Sequence, residues 1–259
     1  DLKSGDLERK DSSFMDALLA LFDSHGLEMG NPWQHKIQYR QEYVARDSFP
    51  DNSGFSASYH FNISGETDPL TMDQIKAVVE GHELWDIYCN GELVEKEEGS
   101  YWIDRDFHYF PVGEYLKKGK NTLSLKASKM SLYAELMPVY LTGPFLLRPL
   151  DKGFEITDGA LVSLGTWKDQ GYPFYSQKVS YTEHFQIEEL DREYVVRLQD
   201  WNGTTTEVYV NGQKAGQICW SPYELTVGHL LNEGDNQITV KVVGSLKNTF
   251  GHFFKTWES

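Results

Sequence analysis

The residues best suited to bind something sit in one short stretch, Gly165-Thr-Trp-Lys-Asp-Gln-Gly-Tyr-Pro-Phe-Tyr175. Four rings, Trp167, Tyr172, Phe174 and Tyr175, are packed around Gly171 and Pro173, with Asp169 and Gln170 beside them. Flat rings accept the C–H face of a pyranose, and amides and carboxylates accept its hydroxyls; small-molecule sites use the same mixture of apolar wall and few polar groups. The same rings could equally plug the end of a β-sandwich or face a neighbouring domain. Trp102, Trp201 and Trp220 read as core or inter-sheet packing.

Signals for catalysis are sparse. The chain has no dinucleotide or phosphate-loop glycine pattern, no nucleophile elbow and no His-Glu-x-x-His. Asp104 and Asp106 stand two apart on an expected strand, which would put both carboxylates on one face, the minimum for glycosidic acid–base work. His60 and His184 fall at matched places in an internal repeat, which argues for a structural cause over a metal. Structural calcium could use acidic loop residues such as Asp200, but no ligand spacing supports it, and no cofactor is expected.

What positions these residues is a duplication. Trp85-Asp-Ile-Tyr-Cys-Asn-Gly-Glu-Leu-Val94 returns as Thr206-Glu-Val-Tyr-Val-Asn-Gly-Gln-Lys-Ala-Gly216. In both, an alternating apolar run meets Asn-Gly, whose readiness for two positive φ angles marks a type I′ hairpin turn. Trp85, Ile87 and Cys89 then align with Thr206, Val208 and Val210 on one inward face. Downstream, Phe110-Pro-Val-Gly…Gly119-Lys-Asn-Thr-Leu-Ser-Leu125 matches Leu225-Thr-Val-Gly…Gly234-Asp-Asn-Gln-Ile-Thr-Val240, and upstream Phe61-Asn-Ile63 matches Phe185-Gln-Ile187. A repeat of this length is a duplicated domain rather than a solenoid unit.

The spacing predicts strands at Lys36–Ala45, Phe55–Ile63, Leu123–Lys126 and Ala134–Leu141, with Ile75–Glu80 and Leu84–Cys89 as a pair bent at Gly81. A solvated acidic tip is expected at Glu95–Gly99. The second copy supplies Phe154–Ile156, Val179–Ile187, Tyr194–Leu198, Thr206–Val210, Gln217–Ile218, Gln237–Val243 and Phe253–Thr256. Before them, Asp11–Gly26 reads as one helix, capped by Ser12 or Ser13 and ended by a left-handed Gly26, with Phe14, Leu18, Leu21 and Phe22 on one face. It would either dock an upstream domain or pack on its own sandwich. The expectation is all-β: residues 1–34 as a helical segment or linker, then antiparallel β-sandwiches over 35–148 and 149–259.

Composition narrows the partners. The 259 residues are 40% hydrophobic and 14% aromatic, with a formal charge of −15. Nucleic acid and anionic membrane need a basic footprint, which is lacking. Cys89 and Cys219 lie in different copies and read as free, mostly buried thiols. No apolar run spans a membrane and no signal peptide is visible. A start at Asp1 reads as a piece of something longer.

The pattern Val208-Tyr-Val-Asn-Gly212, Trp220-Ser-Pro-Tyr223, Leu225-Thr-Val227 and Gly234-Asp-Asn-Gln-Ile-Thr-Val240 resembles the galactose-binding-like, jelly-roll sugar-binding domain of family 2 glycoside hydrolases. Gln170-Gly-Tyr-Pro-Phe-Tyr-Ser176 and Val139-Tyr-Leu-Thr-Gly-Pro-Phe145 are similar to C-terminal accessory domains of large bacterial glycosidases, the α-L-rhamnosidase type among them. The likeness covers about residues 55–250. Cys89 departs from its usual aliphatic, and the segment after Asn90-Gly91 is longer and more acidic. The resemblance implies a non-catalytic, carbohydrate-binding or scaffolding fragment of a secreted, periplasmic or cell-surface enzyme whose catalytic carboxylates lie in another domain. The other readings are a surface protein-interaction or adhesion module and a complete glycosidase.

Overall fold

The structure, a computed structural model, describes residues 1–27, 48–134, 136–159 and 161–250. The expected strands Lys36–Ala45 and Phe253–Thr256 lie outside them. The chain is mostly β and divides into two units, Asp1–Gly159 and Ala160–Ser259.

The first unit opens with β1 (Leu2–Ser4) and β2 (Leu7–Arg9), then α1 (Phe14–Ser24). Ser13 caps α1, its hydroxyl accepting from Asp16 N at 3.1 Å, and Gly26 ends it at φ 77°, a left-handed conformation that costs glycine nothing. Leu18, Leu21 and Phe22 enter the core of this same unit, each worth about 1.5–3 kcal/mol of burial. The helix therefore packs on its own sandwich.

Next come β3 (Phe55–Ile63), α2 (Pro69–Asp73), β4 (Lys76–Glu80), β5 (Asp86–Cys89), β6 (Glu92–Leu93), β7 (Phe107–Pro111), β8 (Gly119–Ala127), β9 (Tyr140–Thr142), β10 (Phe145–Pro149) and β11 (Phe154–Asp158). One sheet runs β10-β11-β3-β8-β5-β6, with β1 paired to β3 and β2 paired to β1; the other runs β7-β4-β9. Ala77 and Val79 of β4 and Phe110 of β7 share a core with Ile87 and Cys89 of β5 and Leu123 and Leu125 of β8.

The second unit holds β12 (Lys178–Ile187), β13 (Val195–Arg197), β14 (Thr205–Val210), β15 (Gln213–Ile218), β16 (Glu224–Thr226), β17 (Gly234–Val243) and α3 (Leu246–Phe250). Its sheets run β12-β17-β14-β15 and β13-β16, around Ile187, Val208, Val210, Ile218, Val227 and Leu231.

The duplication is carried in the register. Phe61 faces Asn121 and Ile63 faces Gly119 across β3 and β8; Phe185 faces Asn236 and Ile187 faces Gly234 across β12 and β17. Both hairpin turns take the two positive φ angles that Asn-Gly favours: 50° and 96° at Asn90-Gly91, 51° and 80° at Asn211-Gly212. Trp85, Ile87 and Cys89, and Thr206, Val208 and Val210, are all buried. Among the described residues, no sheet is shared between the units.

Several expectations change. β4 and β5 do not pair: Gly81, left-handed at φ 61°, and a 3-10 turn at His82–Leu84 carry the chain from one sheet to the other. Ala77, Val78 and Val79 are consecutively buried, so both faces of β4 are covered. Ala134–Leu141 shrinks to β9. Its apolar alternation continues upstream as buried Met130, Leu132, Ala134 and Leu136, but this backbone lies outside the strands. Alternation there records burial, not pairing.

β11, expected in the second copy, belongs to the first unit. It pairs with β10 and runs parallel to β3, Ile156 beside Ile63. The division therefore falls after Gly159 rather than at 148/149. That parallel pair is also a departure from a purely antiparallel design.

Candidate functional site

The aromatic loop leads into β12 and is shaped by its own sequence. The Trp167 carbonyl accepts from Gln170 N at 3.1 Å and Tyr172 N at 3.0 Å, closing a 3-10 turn over Lys168–Gln170. Gly171 ends the turn at φ 88°, a left-handed conformation a larger residue would resist.

The rings then interlock. Tyr175 lies edge-on to Trp167, with ring centroids 6.0 Å apart, and to Tyr172 at 5.9 Å. Such T-shaped pairs add about 0.5–1.5 kcal/mol beyond area burial. The Trp167 indole N–H donates to Tyr181 OH of β12 at 2.7 Å, and Tyr175 OH donates to Lys178 O at 3.1 Å. From α3, Thr249 Oγ1 donates to Phe174 O at 2.9 Å and Asn248 Nδ2 to Tyr175 O at 3.1 Å. The loop is stapled to a strand on one side and a helix on the other. Burial, then the neighbouring Tyr172 phenol, push the Tyr175 hydroxyl above its ordinary pKa.

The two polar groups are used differently. Gln170 folds back on the loop: its Oε1 accepts from Ser163 N at 2.8 Å, and its Nε2 donates to Ser163 O at 3.1 Å and Thr166 O at 3.4 Å. It braces the turn. Asp169 is exposed, so its carboxylate is open to hydroxyl donors. Trp167, Tyr172 and Phe174 are half-buried and Tyr175 is exposed. The arrangement offers a rigid, partly open aromatic surface with one carboxylate; it can bind and orient, and it holds no acid–base pair.

The other candidates resolve structurally. Asp104 and Asp106 precede β7 in a turn, not on a strand, and Asp106 N donates to Asp104 Oδ1 at 3.2 Å, a local Asx turn. His60 pairs with Thr122 Oγ1 at 3.0 Å across β3 and β8, while His184 Nε2 lies 3.2 Å from the Gln237 amide nitrogen across β12 and β17. Their matched positions thus follow from matched register. No group of three or more metal-ligating side chains occurs among the described residues. Glu97, expected on a solvated tip, is half-buried and paired with Lys76.

Two residues expected inside lie outside. Trp220 is 78% exposed, and Cys219 is exposed rather than buried. Trp102 is half-buried against Tyr140 and Phe107, and Trp201 packs edge-on to Tyr223 at 5.5 Å, as packing aromatics should. Both cysteines are free, and burial pushes the Cys89 thiol up to about 11. Among the described residues, no helix is long and apolar enough to cross a membrane.

No family model and no curated protein matches the chain. Similar solved structures include a rhamnosidase from Novosphingobium sp. PP1Y, at 15% identity and TM-score 0.30 over 80% of this chain and 19% of that one. An α-L-rhamnosidase from Streptomyces avermitilis, complexed with L-rhamnose, matches at 13% and 0.30, over 73% of this chain and 21% of that one. A β-D-mannosidase from Dictyoglomus thermophilum matches at 12% and 0.30, over 94% and 30%. The chain spans less than a third of the length of these three structures.

Proposed function

We propose that this chain is a non-catalytic pair of β-sandwiches from a larger glycoside hydrolase acting on polysaccharide, binding carbohydrate through the aromatic loop of the second unit. The observation that carries the reading is the braced set of rings, Trp167, Tyr172 and Tyr175, with the Asp169 carboxylate open beside them. Rings held before the ligand arrives lose little freedom on binding. The carboxylate pair that spacing singled out, Asp104 and Asp106, lies in a turn in which the Asp104 carboxylate accepts from Asp106 N. The charge of −15 favours a neutral glycan over nucleic acid. Secretion, to the periplasm, cell surface or medium, is the compartment this reading implies.

A second reading, a protein-docking module, is favoured by one feature of the same loop. Leu161 and Leu164 are 98% and 79% exposed, and aliphatic side chains of that kind suit a protein surface better than a sugar. Affinity electrophoresis of the full chain through gels containing soluble polysaccharides separates the two. The carbohydrate reading expects retardation on at least one neutral polysaccharide, lost in Trp167→Ala. Unretarded migration on every gel, together with a tight protein complex lost in a Leu161→Asp/Leu164→Asp variant, would favour docking.

A further inference from the structure

Trp220 stands in a second turn of this unit, at the same end of the β12-β17-β14-β15 sheet as the exit of the loop just described. It follows the end of β15, in the exposed run Cys219-Trp-Ser-Pro-Tyr-Glu224. It is 78% exposed, although its alternating neighbourhood reads as core. An exposed apolar residue alone needs no explanation. The backbone around this one does.

Tyr223, three residues on, sits at φ 57°, and Asp200, on the connection after β13, sits at φ 48°. For a bulky residue such as Tyr this is an outlier, and strain of that kind collects at binding sites. The two are held together: Leu198 N donates to Tyr223 O at 3.0 Å, and the Trp201 ring meets the Tyr223 ring edge-on at 5.5 Å. The Trp201 ring lies close against Gly203, where an added Cβ would come within 2.8 Å of it. The turn carrying Trp220 is closed by Tyr223 N donating to Trp220 O at 3.0 Å. The Cys219 thiol lies 3.1 Å from Thr205 Oγ1 on β14. Trp220 is thus displayed from a turn tied down at several points.

The surroundings choose the ligand. The run 219–224 contains no Leu, Ile, Val or Met; its apolar surface is the Trp220 and Tyr223 rings with Pro222 between them. Beside it lie hydrogen-bonding groups: exposed Gln199 and Asp200, and the cross-strand pair in which Arg197 Nε donates to Glu224 Oε1 at 2.6 Å. One open indole face with an amide, a carboxylate and a guanidinium nearby is the mixture that takes a pyranose.

We infer that Trp220, with Tyr223, Gln199 and Asp200, forms a second carbohydrate platform on this unit, for a neutral pyranose within a polysaccharide chain. The inference rests on the carbohydrate reading above but uses a different turn of the chain. Two platforms on one unit would let a single polysaccharide be held at two points, raising retention without a new high-affinity contact.

The test is affinity electrophoresis of the full chain, Trp220→Ala and Trp167→Ala through gels of galactomannan, xylan, arabinogalactan and mixed-linkage β-glucan, with a thermal melt of each. Because Trp220 is exposed, its variant should melt like wild type. The inference expects Trp220→Ala to weaken retardation roughly tenfold. Full retardation of Trp220→Ala with loss in Trp167→Ala would overturn this platform and leave the loop reading standing. Unretarded wild type on every gel would overturn both. A Trp220→Ala variant that only dissolves a self-association seen by gel filtration, with glycan retardation intact, would make Trp220 a protein contact and overturn the inference.

Discussion

The Asn90 side-chain amide donates to Asn121 Oδ1 at 2.8 Å, and Asn211 donates to Asn236 Oδ1 at 2.9 Å in the second unit. Asn121 and Asn236 are buried and fully used. Asn121 also accepts from Lys117 N and donates to Lys117 O and Gly119 O; Asn236 does the same with Asn232 N, Asn232 O and Gly234 O. Each pair ties a hairpin turn to the loop entering the central strand of its sheet.

Removing either buried asparagine should be costly in a specific way. Asn121→Ala leaves Lys117 N, two carbonyls and the Asn90 amide without their partner. These bonds are part-buried and Lys117 and Gly119 are exposed, so water replaces some of them and the loss is about 1–3 kcal/mol in sum. Asn236→Ala should cost a similar amount in the other unit. Urea unfolding followed by fluorescence measures both; losses under about 0.5 kcal/mol at both sites would make the pairs incidental.

The repeated Val-Gly offers an asymmetric test. A Cβ on Gly113 would lie 2.4 Å from Asp73 O, at the end of α2, and backbone cannot step aside. A Cβ on Gly228 would meet only Tyr194, at 3.9 Å. Gly113→Ala should therefore destabilise by about 1–3 kcal/mol or more, and Gly228→Ala by no more than about 0.5 kcal/mol. Equal effects by thermal melting would show that the two copies use this glycine for one shared reason.

Acid sensitivity should have a local source in the first unit. The rings of His82 and His108 lie with centroids 3.9 Å apart. Lys96 Nζ is 3.2 Å from His82 Nε2, with Glu83 and Glu98 as the opposing charges. Burial first, with smaller contributions from His108 and Lys96, holds His82 below its ordinary 6.5, against the pull of Glu83 and Glu98. The folded state therefore binds fewer protons than the unfolded chain as pH falls below 6.5. Stability contributed by the neutral ring is present above that value and declines down to the lowered folded pKa. Melting temperature should drop as pH is lowered through 6.5, and His82→Gln should flatten that drop. An unchanged slope in the variant would remove His82 as the cause.

Much of the frame was legible in the sequence because Asn-Gly and inward alternation have few physical solutions. The hairpins, the buried triplets and the cap of α1 all follow from local chemistry. The repeated Gly-x-Asn also marked Asn121 and Asn236, although only the folded register brings them to Asn90 and Asn211. β10 and β11 were harder: a boundary at 148/149 divides them between the copies, whereas the chain makes one more hairpin there and adds it to β3. In the aromatic loop, sequence marked which residues gather but not that Gln170 would turn inward and brace it. Trp220 was missed because hydrophobic pattern describes side chains and says nothing of a turn that faces outward.

The most direct test of the account is one incubation of the full chain with soluble neutral polysaccharides, following both retention on the polymer and release of reducing ends. The account predicts retention without release. Release of sugar by the purified chain, or loss of retention on every polymer, would contradict it.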